Sequence, residues 1–246
     1  MVVTIDKETR SFMVGREGFL AFLKEWEHTW PSPKLANVIS DAGGPKNVAI
    51  ICEDVVVGFC GAGPLASSRV ASIVPPIVEL FKLAHSLGVH NFVLPQDAHP
   101  PDSPEFEAWG PHCIAGSAEA ETVPELKQLS FSDLFVVIPK QNLNSGIGTG
   151  FVDWLDEHGD VKRFIVVGDC TDLCVYQSAM YLRLRANQFR LDYEVIVPED
   201  GVDTFDIPLG KARDLRVLPH DAELLHLLFL YHMALNDIQV VRRLTP

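Results

Sequence analysis

Five short apolar runs recur along the chain: "NVAIIC" (47–52), "NFVLP" (91–95), "LFVVIP" (134–139), "RFIVVG" (163–168) and "YEVIVP" (193–198). Each is too short for a helix, rich in Val and Ile, and continuous rather than alternating, as parallel strands buried on both faces are. Between them, residues 70–88, 150–159, 171–188 and 221–237 carry apolar positions at helical spacing. Strands alternating with helices predict a doubly wound parallel sheet covered on both faces. Pro75 and Pro76 fall inside the first helical stretch and should delay its start or kink it. Residues 1–45 carry a helical pattern around "REGFLAFLKEWEHTW", followed by "PSP" and "DAGGP". They read as an N-terminal helical extension and linker, leaving 46–246 as the sheet domain.

Composition narrows the function. The 246 residues are 47% hydrophobic and 22% charged, enough apolar material for a sizeable core. Net charge is -13, and no run of Lys and Arg stands out, so neither nucleic acid nor an anionic membrane is an expected partner. The negative field favours a neutral small molecule over a multiply anionic one. No basic-then-apolar leader opens the chain and no 18 apolar residues run together, so a cytoplasmic location is expected. Five cysteines in that setting should be mostly reduced.

In doubly wound sheets ligands bind beyond the C-terminal ends of the strands. Asp54 follows the first run, Asp97 and His99 follow the second, Lys140 the third, and Cys174 lies early in the helix after the fourth. Taken alone, each has an ordinary role as a turn former, surface charge or buried filler. Their joint place at one sheet edge is what points to chemistry. A free thiol is mostly protonated at neutral pH, so Cys174 needs activation. Thr171 as N-cap would put Cys174 in the first helical turn, where free N–H groups stabilise a thiolate. Asp54 could take the thiol proton and return it to a leaving amine, with Lys140 holding the charges in place. Asp97, His99 and His112 offer one oxygen and two imidazoles, a three-ligand set suited to zinc, iron or manganese, and Glu105 could add a fourth oxygen. Phe59 and Trp109 are suited to sandwiching a flat ring. Cys170 and Cys174, four residues apart, could alternatively form a reversible disulfide, though Cys170 precedes the helix and bridging would require distortion.

These residues together resemble the isochorismatase-like cysteine hydrolases, and among them the nicotinamidases. "GDCTDLCV" resembles the family's Gly-x-x-Thr-Asp-x-Cys-Val signature, "EDVVVGF" its first-strand Asp motif, and "QDAHP" with "WGPHCIAGSAEAE" the nicotinamidase metal loop. "GVDTFDIPLGKA" is similar to a C-terminal segment of plant-type members, and the similarity spans roughly residues 46–242. The resemblance implies a three-layer α/β/α sandwich with a six-stranded, mostly parallel sheet. It implies hydrolysis of nicotinamide, and of pyrazinamide-like amides, to the acid and ammonia through a cysteine thioester, a step of pyridine-nucleotide salvage. Cys174 would be the nucleophile, Asp54 the general base and acid, and Lys140 the third triad member. The backbone N–H groups of Cys170 and Cys174 would form the oxyanion hole, with a non-prolyl cis bond between Asp169 and Cys170. Asp97, His99 and His112, with Glu105 as a fourth ligand in some members, would hold one divalent ion, zinc first. Phe59 and Trp109 would stack on the substrate ring, and the assembly would be a homo-oligomer. The sequence departs from the family at Val57, where Asn is usual, at Cys170, where a small residue is common, and in the Trp-Gly-Pro-His stretch. Another small amide, or isochorismate, is the alternative substrate within the same fold.

Overall fold

The computed structural model describes residues 6–246, so the first five residues of the expected extension lie outside the described residues. Seven strands form one sheet: β1 (Val48–Glu53), β2 (Asn91–Asp97), β3 (Phe135–Lys140), β4 (Arg163–Asp169), β5 (Glu194–Pro198), β6 (Val202–Asp203) and β7 (Gln239–Val241). Their order is β3-β2-β1-β4-β5-β7, with β6 lying against β4, and every pairing is parallel. Six strands therefore run in one path as the resemblance implied, and the two-residue β6 makes a seventh. β6 and β7 are too short for periodicity to mark them.

The buried strands explain the continuous apolar runs. Successive side chains point to opposite faces, so Ala49 and Ile51 of β1 join one core with Phe164 and Val166 of β4. Val48, Ile50 and Cys52 join the other with Ile165 and Val167. The helices Phe151–Glu157, Cys174–Phe189 and Ala222–Leu235 cover the first face through Trp154, Val175, Leu182 and Leu230. The helix Val74–Ser86 covers the second through Ile77 and Phe81. The N-terminal segment contributes to both cores, Leu23 to the first and Leu35 and Ile39 to the second. β3 departs from the expected double burial: it is an edge strand, and Val136 and Val137 are 40% and 51% exposed.

The two prolines sit in the first turn of the helix Val74–Ser86, where a missing N–H costs nothing, so the start is delayed and no interior kink forms. The helix after β4 begins at Cys174, with Leu173 at the cap position, not at Thr171 as its side chain suggested. The Thr171 hydroxyl is instead 2.8 Å from Nδ1 of His226, and the Thr171 N–H donates to the Asp203 carbonyl at 3.0 Å.

Candidate active site

The strand order reverses between β1 and β4, and the crevice beyond their C-terminal ends is where such sheets bind ligands. Asp54 leaves β1 on one side of that crevice and Cys174 opens the helix after β4 on the other. Asp97 and Lys140, the last residues of β2 and β3, face each other in register. The turn that carries Cys174 depends on Gly168. Its φ is +114°, and a Cβ there would lie 2.0 Å from the Glu53 carbonyl oxygen, so only glycine lets β4 pass β1 at this point.

Lys140, 1% exposed, is the hub. Its Nζ lies 2.7 Å from Asp54 Oδ2 and 3.5 Å from Cys174 Sγ, and it also donates to Asp97 Oδ1. Asp54 Oδ1 accepts the Asp97 N–H at 2.8 Å. Burial works against the charge of Lys140, but Asp54, Cys174 and Asp97 outweigh it and hold the ammonium charged. Burial and then the charge of Asp97 push Asp54 up to about 6, with Lys140 and Cys174 opposing. Asp54 also has a left-handed backbone, φ +55°, an uncommon conformation for a residue with a Cβ. Burial, followed by the charge of Asp54, pushes the Cys174 thiol well above its usual range despite Lys140. The expectation of a thiolate stabilised by the helix N-terminus therefore changes. Burial favours the thiol form of Cys174 over the thiolate, with the Asp54 carboxyl beside it.

The Asp169–Cys170 peptide is cis, as the resemblance implied. The Cys170 carbonyl accepts from Leu173 at 3.0 Å and Val175 at 3.2 Å, which shapes the turn into the helix. Among the described residues, neither the Cys170 nor the Cys174 N–H has a protein acceptor, leaving two donors beside the sulfur. Cys170 and Cys174 are both free thiols.

Asp97, His99 and His112 are all buried, and one ligand atom from each lies within 4.8 Å of the others. Nε2 of His99 is 3.4 Å, and Nε2 of His112 3.7 Å, from Asp97 Oδ2. The donor chemistry fits a divalent cation. His112 Nδ1–H donates to the Gly110 carbonyl at 2.8 Å, which leaves the Nε2 lone pair facing the cluster, and the buried His99 Nε2 has no hydrogen-bond partner. Parallel bridging of His99 with Ile114 brings the two histidines together across the loop. Glu105 is not gathered into this group. Its carboxyl is not within 4.8 Å of all three ligand atoms, but it lies near them: burial and then the charge of Asp97 raise it, with His99, Lys140 and His112 opposing.

The ring of Phe59 lies 5.7 Å from that of His112, at the edge of the cluster. Trp109 packs edge-on against Phe205 at 6.1 Å. Sequence reasoning missed three neighbours. Phe106 packs edge-on against both His99 and His112. Asp172 pairs with His220. Glu53, fully buried next to Asp54, accepts the Ser178 hydroxyl at 2.6 Å and the Ser145 hydroxyl at 2.8 Å. Burial raises Glu53 to about 8 against the pull of Lys140. It ties β1 to the loop after Lys140 and to the helix that carries Cys174. The available signal was a lone acid closing an otherwise apolar strand.

Residues 48–218 match the model of the isochorismatase domain. Nicotinamidase 1 of Arabidopsis thaliana is 34% identical over 218 residues, covering 81% of this chain and 87% of that protein. The nicotinamidase/pyrazinamidase of Mycobacterium tuberculosis is 32% identical over 144 residues, covering 53% of this chain and 76% of its own. Among solved structures, the nicotinamidase of Bacillus subtilis superposes with a TM-score of 0.63 at 21% identity, over 79% of this chain and 99% of that one. The pyrazinamidase of Pyrococcus horikoshii in complex with zinc superposes with a TM-score of 0.60 at 23% identity, over 80% and 99% of the respective chains.

Proposed function

We propose that this chain, which belongs to the isochorismatase domain family, hydrolyses nicotinamide, and pyrazinamide-like amides, to the carboxylic acid and ammonia. The observation that carries the proposal is the joining of two clusters through Lys140: the Asp54–Lys140–Cys174 group on one side, and the Asp97, His99 and His112 group on the other. A hydrolase acting on an amide without a ring nitrogen has no need of the second cluster.

Each step follows from a placed atom. Asp54 accepts the Cys174 proton as sulfur attacks the carboxamide carbon, so the thiol need not ionise beforehand. The N–H groups of Cys170 and Cys174 are free to donate to the developing oxyanion, an effect worth several kcal/mol in a site closed to water. Protonated Asp54 then delivers its proton to the departing amine, which leaves as ammonia and gives the Cys174 thioester. In the second half Asp54 takes a proton from water as the oxygen attacks the thioester carbon. The sulfur departs, regains that proton, and the acid is released. Throughout, Lys140 holds Asp54 and Asp97 through its two ion pairs.

Asp97, His99 and His112 would hold one divalent ion, with zinc as the first candidate and iron or manganese also compatible. Such an ion would supply a Lewis acid to which the pyridine nitrogen could bind. Phe59 and Trp109 would flank the ring, and Glu105, whose carboxyl lies near the three ligands, could add a fourth oxygen. A cytoplasmic homo-oligomer is part of the same proposal, with exposed Phe19, Leu20 and Phe22 offering a contact surface. Comparing nicotinamide, pyrazinamide and benzamide as substrates of the purified protein tests the assignment. Turnover of the first two with little of benzamide supports it, whereas equal use of benzamide or use of unrelated amides alone overturns it.

A further inference from the structure

The turn between the two oxyanion donors carries a side chain that the reaction does not use. Asp172 is 8% exposed, and its Oδ2 lies 2.8 Å from Nε2 of His220. The other nitrogen of that ring, Nδ1, is 2.8 Å from the Phe205 carbonyl. One ring nitrogen meets the Asp172 carboxylate and the other the Phe205 carbonyl, so the imidazole joins two segments of chain. Its face stacks on the Phe205 ring at 3.9 Å with 22° between planes. The same ring meets Trp109 edge-on at 6.1 Å.

The backbone of both partners is fixed. Thr171 donates to the Asp203 carbonyl, and Asp169 and Asp203 pair in register, so residues 203–205 lie along the Cys170 turn. Ile207 and His220 exchange hydrogen bonds at 2.8 and 2.9 Å, closing the loop that leaves Phe205 and returns at His220. His220 therefore sets where the Phe205 ring stands relative to Trp109, one of the two aromatic residues assigned to the substrate ring.

We infer that His220 is a specificity-determining positioning residue: bridged to Asp172 and stacked on Phe205, it fixes Phe205 as the wall that limits the slot beside Trp109 to a single aromatic ring. The inference rests on the amidase assignment above. It adds that the size limit on the substrate is imposed by the segment 205–220 and not by the metal loop alone. Without the imidazole, Phe205 can swing aside, and a fused two-ring carboxamide gains access while a one-ring amide is held less well.

The test measures kcat and KM for nicotinamide and quinoline carboxamide in the wild type, His220→Ala, His220→Gln, Phe205→Ala and the Ala/Ala double variant. Loss of the clamp should raise KM for nicotinamide about tenfold with kcat changed less than about threefold. It should also shift the kcat/KM ratio toward the two-ring amide by about tenfold or more. Phe205→Ala should shift the ratio similarly, and the double variant no further, because both changes remove one wall. His220→Gln, which can keep one of the two hydrogen bonds, should fall between wild type and His220→Ala and covers the case in which the alanine variant does not fold. Folded His220 variants with the wild-type ratio, or additive effects in the double variant, overturn the inference. A wild type inactive on nicotinamide overturns the amidase assignment and this inference with it; an active wild type with unshifted variants overturns this inference alone.

Discussion

Asp54 must be ionised to take a proton from Cys174, yet it is buried beside a second carboxylate. Burial and Asp97 raise it to about 6, above the ordinary aspartate value, so the base is lost as pH falls through that point. The expected pH profile of kcat/KM has an acidic limb near 6, with activity retained above it. A profile flat to about pH 4.5, close to an unperturbed carboxyl, would contradict the role assigned to Asp54. At this scale the sequence was informative where a reactive residue directly followed an apolar run, as Asp54, Lys140 and Cys174 do. It was uninformative about protonation. The buried thiol faces two carboxylates brought by other strands, and no local pattern around Cys174 encodes them. Glu53 escaped notice for a related reason, because its partners Ser145 and Ser178 are 92 and 125 residues away.

Glu53 also shows how elements are joined. Its carboxyl group holds the loop after β3 and the helix Cys174–Phe189 to the end of β1, the three elements that supply Lys140, Cys174 and Asp54. Glu53→Ala strands two buried hydroxyls and opens a cavity, so we expect a loss of about 2–4 kcal/mol in denaturant unfolding. A change within about 0.5 kcal/mol would show that the link carries no weight. The major strands and helices were legible because burial on both faces of a parallel sheet writes itself as unbroken apolar runs. The helix cap was misplaced by two residues. Thr171 has the right side chain for a cap, but Asp203 and His226 engage its N–H and hydroxyl, and both come from distant parts of the chain. β6, which supplies Asp203, is two residues long and has no periodicity to detect.

Across the whole molecule, the fold brings two kinds of chemistry to one crevice and joins them through Lys140. Residues from β1, β3 and the helix after β4 form the nucleophilic group, while β2 and its following loop bring Asp97, His99 and His112 together. If that second group holds an ion, purified protein should contain about one divalent metal per chain by elemental analysis. Chelation should abolish turnover and lower the melting temperature, and re-addition of the ion should restore both. Full activity and unchanged melting in metal-depleted protein would contradict the site. The resemblance pointed to the metal loop and the triad from sequence alone, and the structure brings Asp97, His99 and His112 together beside Asp54, Lys140 and Cys174. The most direct measurement follows ammonia and nicotinate formation from nicotinamide by the purified wild type and Cys174→Ala. Equal amounts of both products from the wild type, with none above background from the folded variant, are the expected result; no nicotinate from the wild type, or undiminished turnover without the Cys174 sulfur, would contradict the account.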